Sequence, residues 1–358
     1  MKKTAVGVIG CGNVSDIYMQ NLGNLFPQVY VEACASRREE SARKLAQKYH
    51  IPKVYSVEEL LEDPKIEVVL NLTTPDAHYE ITKRALEKGK HVYSEKPISL
   101  EMDQARHLQS LAREKGLRLG CAPDTVLGAA VQTGRKLLEE EAIGRPLSAS
   151  MFFGWHGPEH EHPNPAFLYQ YGAGPVFDYG PYYFSALVTL LGPAKTVFAM
   201  AMKGFEERTC TCPGPHLGEK FSVEIPTHVT GTVRLQSGVL VSVTTSFDIW
   251  GHGHPFIEIY GPEGTLRLPD PDRFGGELFL LKKGEDQFQK VPLAFGYEEN
   301  SRGLGLADMV IRMEKQAPHR ASDTLAVHVL EIMHGFLNSS ALNQPVILQT
   351  TCEAPRMM

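Results

Sequence analysis

A chain of 358 residues with 42% apolar and 22% charged side chains is long enough for about two domains, at roughly 150 residues each, with a core that needs no disulfide or structural metal. The formal net charge of −6 gives nucleic acid or an anionic membrane no general electrostatic reason to bind. No apolar run approaches the ~18 residues of a membrane span, and six scattered cysteines do not make a disulfide framework.

The start, Met1-Lys2-Lys3 followed by Ala5–Ile9, has the charge order of a secretion signal but runs into Gly10-Cys11-Gly12 after too short an apolar stretch. The expectation is a cytoplasmic enzyme with a small-molecule substrate, no nucleic acid and no membrane partner. Up to residue 123, short β runs (Thr4–Ile9, Val29–Ala35, Val54-Tyr55, Ile66–Leu72, His91–Ser94, Leu117–Ala122) alternate with charged helical stretches (Arg38–Lys48, Ala77–Glu87, Met102–Lys115). Ser56 and Glu59 have the spacing of a capping box. The alternation predicts βαβ units and a parallel sheet.

The rhythm changes after Pro123. A helix over Val126–Glu141 is followed by β runs at Leu147–Phe153, Val229–Leu235, Val239–Ser246, Phe256–Tyr260, Thr265–Leu268 and Leu278–Leu281. Helices near Gly305–Lys315 and Ala321–Asn338 and a strand at Val346–Leu348 close the chain. Consecutive strands without intervening helices predict a mostly antiparallel sheet with helices on one face. The fold class is therefore α/β, with a parallel-sheet domain over residues 1–123 and an α+β domain over residues 124–358.

Gly10 and Gly12, between the first strand and the first helix, suit a tight turn and a close backbone approach to a pyrophosphate, with Asn13 and Val14 opening the helix. The third glycine of that pattern is replaced by Ser15. The second strand ends Ala35-Ser36-Arg37-Arg38 with no acidic residue, and Glu32 lies too early, inside the strand. A hydroxyl followed by arginines suits a ribose 2′-phosphate better than a bare 2′-hydroxyl, which favours NADP(H) over NAD(H).

Asn71-Leu72-Thr73-Thr74-Pro75-Asp76-Ala77-His78, Ser94-Glu95-Lys96-Pro97 and Gly172-Ala173-Gly174-Pro175-Val176-Phe177-Asp178, taken with the glycine loop, resemble the Gfo/Idh/MocA family of NAD(P)-dependent oxidoreductases across essentially the whole chain. The resemblance implies that residues 1–123 are a Rossmann dinucleotide-binding domain and residues 124–358 a substrate-binding and oligomerisation domain with a large open sheet. It implies further that Thr73, Pro75, His78 and Glu95 border the cofactor and that Lys96 is the acid/base. It also implies an Asp178 that orients Lys96 or a substrate hydroxyl, and allows a cis peptide before Pro97. Independently, Lys96 falls at the carboxyl end of a strand, where open α/β sheets bind ligands. A lysine desolvated beside a nicotinamide can exchange a proton near neutral pH. Many relatives carry His four residues after the Asp, where this chain has Tyr182. A phenol is a weaker base, which shifts acid/base work to Lys96.

The implied activity is hydride transfer with a sugar, polyol or vicinal diol. NAD-recycling glycoside cleavage or elimination is one alternative, and a non-catalytic NADP(H) sensor is another. His156, Glu159, His160, Glu161 and His162 lie in a loop without helical ligand spacing, read as a pocket border and not as a metal site, and the thiols of Cys210 and Cys212 have no second pair. Cys11 reads as a small filler, and His328 and His334 as ordinary helix residues. Val229–Leu235 and Val239–Ser246 carry Val, Leu and Thr on both faces, more than a one-sided sheet needs, and the resemblance implies a homodimer or homotetramer built on the second domain's sheet.

Overall fold

Six short strands make the first sheet of this computed structural model, which describes residues 3–358; Met1 and Lys2, with which the signal-like start begins, lie outside the described residues. In chain order the elements are β1 (Thr4–Ile9), α1 (Asn13–Asn24), β2 (Val29–Ala35), α2 (Glu39–Tyr49), β3 (Lys53–Tyr55), α3 (Val57–Glu62), β4 (Val68–Asn71), α4 (Pro75–Glu87), β5 (His91–Ser94), α5 (Met102–Glu114) and β6 (Leu119–Cys121). The sheet is parallel, in the order β3-β2-β1-β4-β5-β6. Its strands are nearly all apolar because helices cover both faces of such a sheet: Val6, Val8, Val68, Val69, Leu70 and Val92 are fully buried. Ser56 and Glu59 close the expected capping box at α3.

The chain divides into two compact units: residues 1–128 with 297–330 (and Met358), and residues 129–296 with 331–357. A single boundary at 123/124 does not describe this division, because a returning segment rejoins the first unit. The reason is visible in the hydrogen bonds. Asn21 Nδ2 donates to the carbonyls of Asn300 (2.8 Å) and Arg302 (2.9 Å). The buried Asp124 carboxylate accepts the amides of Gly303 (2.8 Å) and Gly305 (3.0 Å).

The second unit contains α6 (Ala129–Glu139), β7 (Ser148–Gly154), α7 (Gly174–Asp178), α8 (Gly180–Leu191), β8 (Ala194–Met202), β9 (Glu207–Thr209), β10 (Lys220–Ser222), β11 (His228–Leu235), β12 (Leu240–Ser246), β13 (Ile257–Gly261), β14 (Gly264–Leu268), β15 (Leu278–Lys282) and β16 (Gln289–Val291). After them come α9 (Leu304–Glu314) in the returning segment, α10 (Asp323–Leu342), which runs from one unit into the other, and β17 (Val346–Ile347). The nine-stranded sheet has the order β16-β15-β14-β13-β7-β12-β11-β8-β17. Among its described strands only β7 and β12 pair in parallel, so it is mostly antiparallel, as expected. Where β17 is too short to cover the β8 edge, Ser339 and Ser340 of α10 accept the amides of Ala199 (3.0 Å) and Ala201 (2.8 Å).

The two-faced apolar pattern expected of β11 and β12 is not what the strands show. Val229, Val233, Val241 and Val243 are buried, while Thr230, Thr232, Arg234 and Ser242 face out. The outward apolar residues come mostly from β8, as Phe198, Met200 and Met202, with Ile347 on the adjacent β17 and Leu240 alone at the start of β12. No described helix is long and apolar enough to cross a membrane.

Candidate functional site

The strand order reverses between β1 and β4, and the loop after β1 packs against the loop after β4 at that point. Gly10 has φ +103°, and a Cβ there would lie 2.4 Å from the Leu72 carbonyl carbon and oxygen, so only glycine fits. Gly12 is extended and caps α1 without a side chain, and a Cβ there would meet nothing within 4 Å. The Asn13 and Val14 amides at the start of α1 have no backbone acceptor among the described residues, with the positive end of a 12-residue helix behind them, while the Ser15 amide turns back to Gly12 O at 3.1 Å. Ser15 fills the third glycine position compactly: it is buried, and its hydroxyl donates to Gly12 O at 2.6 Å. Cys11 Sγ is turned toward Ala35 O, 3.5 Å away. A backbone cradle that a side chain would fill, beside unpaired helix amides, fits a dinucleotide pyrophosphate.

At the end of β2, Ser36 is half-buried and Arg37 is exposed, with no hydrogen-bond or ion-pair partner among the described residues. Glu32 is engaged elsewhere, 2.8 Å from Lys53 Nζ. Asn71, fully buried, ties the next loop together: its Oδ1 accepts the Thr73 hydroxyl (2.7 Å) and amide (3.2 Å), and its Nδ2 donates to Thr82 Oγ1 (3.1 Å). Thr74 and Pro75 then start α4. His78 is buried, with Nδ1 2.7 Å from Pro97 O and Nε2 2.9 Å from Thr73 O. Burial lowers its pKa, and the two carbonyls oppose that shift. Its ring braces the Thr73 and Pro97 loops against each other.

Glu95 and Lys96 follow β5, and the Lys96–Pro97 peptide is cis. Glu95 Oε2 accepts the Lys96 amide at 2.9 Å, and Oε1 accepts the phenol of Tyr18 at 2.8 Å. Tyr18, from α1, is fully buried; burial and then the Glu95 charge push its pKa well up, so it stays a donor. Lys96 is half-buried. Sequence reasoning missed Tyr18 and Asp124. Burial raises the Asp124 pKa to about 6, against two glycine amides that lower it. Gly305 is required there, since a Cβ would strike Tyr93 Oη.

In the second unit, Asp178 ends α7, Tyr179 keeps right-handed helical geometry, and α8 begins at Gly180. Asp178 and Tyr182 therefore lie about one helical turn apart; Asp178 is half-buried and Tyr182 is 9% exposed. Gly174 (φ +80°) lets α7 begin against Ile225. His156, Glu159 and His160 do approach one another, with ligand atoms within 4.8 Å. However, the buried Glu159 carboxylate is engaged by Arg208 and by the Tyr169 phenol, so the cluster is built as an ion-pair brace. His328 and His334 are helix residues as expected: His328 is fully buried and His334 packs edge-on against Phe177.

A glycine-rich β1–α1 turn at the switch point of a parallel sheet defines a dinucleotide-binding Rossmann unit. Residues 4–122 match the oxidoreductase family with an NAD-binding Rossmann fold, and residues 131–267 match the GFO/IDH/MocA C-terminal domain. The chain belongs to the Gfo/Idh/MocA family of oxidoreductases. It is 31% identical over 225 residues to the 1,5-anhydro-D-fructose reductase of Ensifer adhaerens, a stretch covering 60% of each chain. It is 22% identical to the NADP(+)-dependent scyllo-inositol 2-dehydrogenase of Bacillus subtilis over 96% of each chain. A levoglucosan dehydrogenase solved with NADH and L-sorbose shares the fold, with a TM-score of 0.84 at 22% identity, covering 97% of this chain and 99% of that one.

Proposed function

We propose that the protein interconverts an alcohol and a carbonyl on a sugar, polyol or related vicinal diol. In this reading Lys96 is the acid/base, and Asp178 and Tyr182 orient substrate hydroxyls. The observation that carries it is the placement of Lys96 beyond β5, its backbone anchored through Glu95 and Tyr18, on the same unit as a glycine cradle suited to a dinucleotide. A nicotinamide cofactor supplies the hydride chemistry when bound. Gly10, Gly12, Asn13 and Val14 hold its pyrophosphate, and Thr73, Pro75 and Glu95 border it. Lys96 takes up the hydroxyl proton in oxidation and returns it in reduction. Asp178 accepts hydrogen bonds from neighbouring hydroxyls, and the Tyr182 phenol donates one.

Ser36 and Arg37 read the adenosine ribose, which favours NADP(H) over NAD(H). The unpartnered Arg37 and the ion-paired Glu32 support this. The outward face of β8 (Phe198, Met200, Met202), with Ile347 on the adjacent β17, exposes several large apolar side chains, which supports a homodimer or homotetramer built on this sheet.

The test is a panel of aldoses, cyclic polyols and anhydro sugars with both cofactors, read at the absorbance of reduced nicotinamide. Net cofactor reduction by at least one of them, faster with NADP⁺, is expected. Bound cofactor with no turnover would leave a sensor, and glycoside cleavage without net reduced cofactor would mean a redox-recycling elimination.

A further inference from the structure

An aromatic strip runs outward from Asp178 along the second unit. Tyr179 lies 6.5 Å from Tyr182 between ring centroids, and Trp155 meets Tyr179 edge-on at 6.2 Å. The next residue, His156, stacks flat on Trp250 at 3.5 Å and 13°. Trp250 is 78% exposed, and Phe205, edge-on to His156, is 48% exposed.

The loops bearing these rings are pinned. The Ile249 amide donates to Trp155 O at 3.2 Å. Beneath them the buried Arg208 joins Glu159 of one loop to Asp248 of the other, and donates to Phe247 O at 2.9 Å. Thr227 donates to the second Asp248 oxygen at 2.6 Å. Phe205 covers the same guanidinium at 4.6 Å. Burial, then the Arg208 charge, lowers the His156 pKa, so near neutral pH the ring beneath Trp250 is uncharged. A large aromatic held rigidly in water has lost its ordering entropy in advance and leaves apolar area to be covered by a ligand.

We infer that this strip is a second subsite, in which Trp250, backed by His156, takes the face of a further sugar or aryl ring linked to the sugar that Asp178 and Tyr182 orient. The C–H bonds on one face of a pyranose are weakly positive and match the negative face of an indole. The substrate class is accordingly a disaccharide or aryl glycoside in place of a free monosaccharide. This rests on the sugar-oxidoreductase reading above.

Trp155 and Trp250 are the only tryptophans in the chain, so binding is readable without turnover. The cofactor-loaded protein is titrated with cellobiose, lactose, phenyl β-D-glucoside, D-glucose and D-galactose while tryptophan emission is followed, with Trp155→Phe isolating the Trp250 signal. At least one two-ring ligand should perturb Trp250 and bind about 3- to 10-fold more tightly than its monosaccharide, and Trp250→Ala should remove that difference. Equal affinities, no change in Trp250 emission with any ligand, or dissociation of an oligomer by Trp250→Ala would overturn the subsite; the last would mean that a second copy covers the strip. Any of these failures together with turnover of a monosaccharide would leave the oxidoreductase reading standing alone. Binding at Trp250 with no turnover of any sugar would do the reverse.

Discussion

Asp124→Asn tests whether the first unit stores a destabilising charge. Asp124 is fully buried, and both glycine amides reach the same oxygen, Oδ2, at 2.8 and 3.0 Å. An asparagine whose Oδ1 takes that place keeps both bonds and loses the charge. The folded pKa is raised from 3.8 to about 6, so the folded state holds the proton more tightly than the unfolded state. The resulting stability is complete below about pH 3.8 and is lost as pH rises through 6. At ~1.36 kcal/mol per pH unit the loss is about 3 kcal/mol, or about 4 °C in Tm for a chain of this length. The assay is urea unfolding at intervals from pH 4.5 to 8, with and without the substitution. Most other titrating groups cancel in the difference between the two profiles. Asp124→Asn should gain on the wild type as pH rises to about 7 and then hold a constant lead. Parallel profiles, or a variant less stable at pH 7.5 than the wild type, would refute the reasoning.

Two other substitutions probe separate surfaces. Arg37→Ala should weaken NADP(H) by about 10- to 150-fold, the equivalent of roughly 1.5–3 kcal/mol for a charge-assisted bond, with NAD(H) nearly unchanged; equal loss of both cofactors by fluorescence titration would return Arg37 to an ordinary solvated face. Met200→Glu places a charge on the outward face of β8 and should shift sedimentation toward a monomer near 40 kDa, whereas a wild type already monomeric at micromolar concentration would remove the argument for assembly.

The alternation of apolar strands with charged helices made the Rossmann half readable, since each element carries its own period. Elements in the second unit were less legible. Gly180–Leu191 is buried on nearly every side, so no amphipathic stripe marks it as a helix. β8 carries three alanines among its inward and edge positions, and alanine is a poor strand signal. The glycine loop was legible because φ and steric demands act within a few residues. Tyr18 with Glu95 and Asp124 with Gly303 join positions 77 and 179 residues apart, and the Arg208 brace joins three separate segments. Nothing local marks such pairs: each is an ordinary polar residue until the fold buries it. The returning segment of the first unit was missed for the same reason.

The central claim, that Lys96 moves the substrate proton, is tested most directly by the pH dependence of single-turnover oxidation in wild type and Lys96→Met, with the best substrate from the panel. Methionine keeps the length and apolar stem while removing the ammonium. The account predicts a turnover loss of about 10²- to 10⁴-fold, cofactor affinity little changed, and disappearance of the limb that rises with pH in the wild type. Near-normal turnover with that limb intact in Lys96→Met would contradict it, and abolition of turnover by Tyr182→Phe would then place the proton transfer on the phenol.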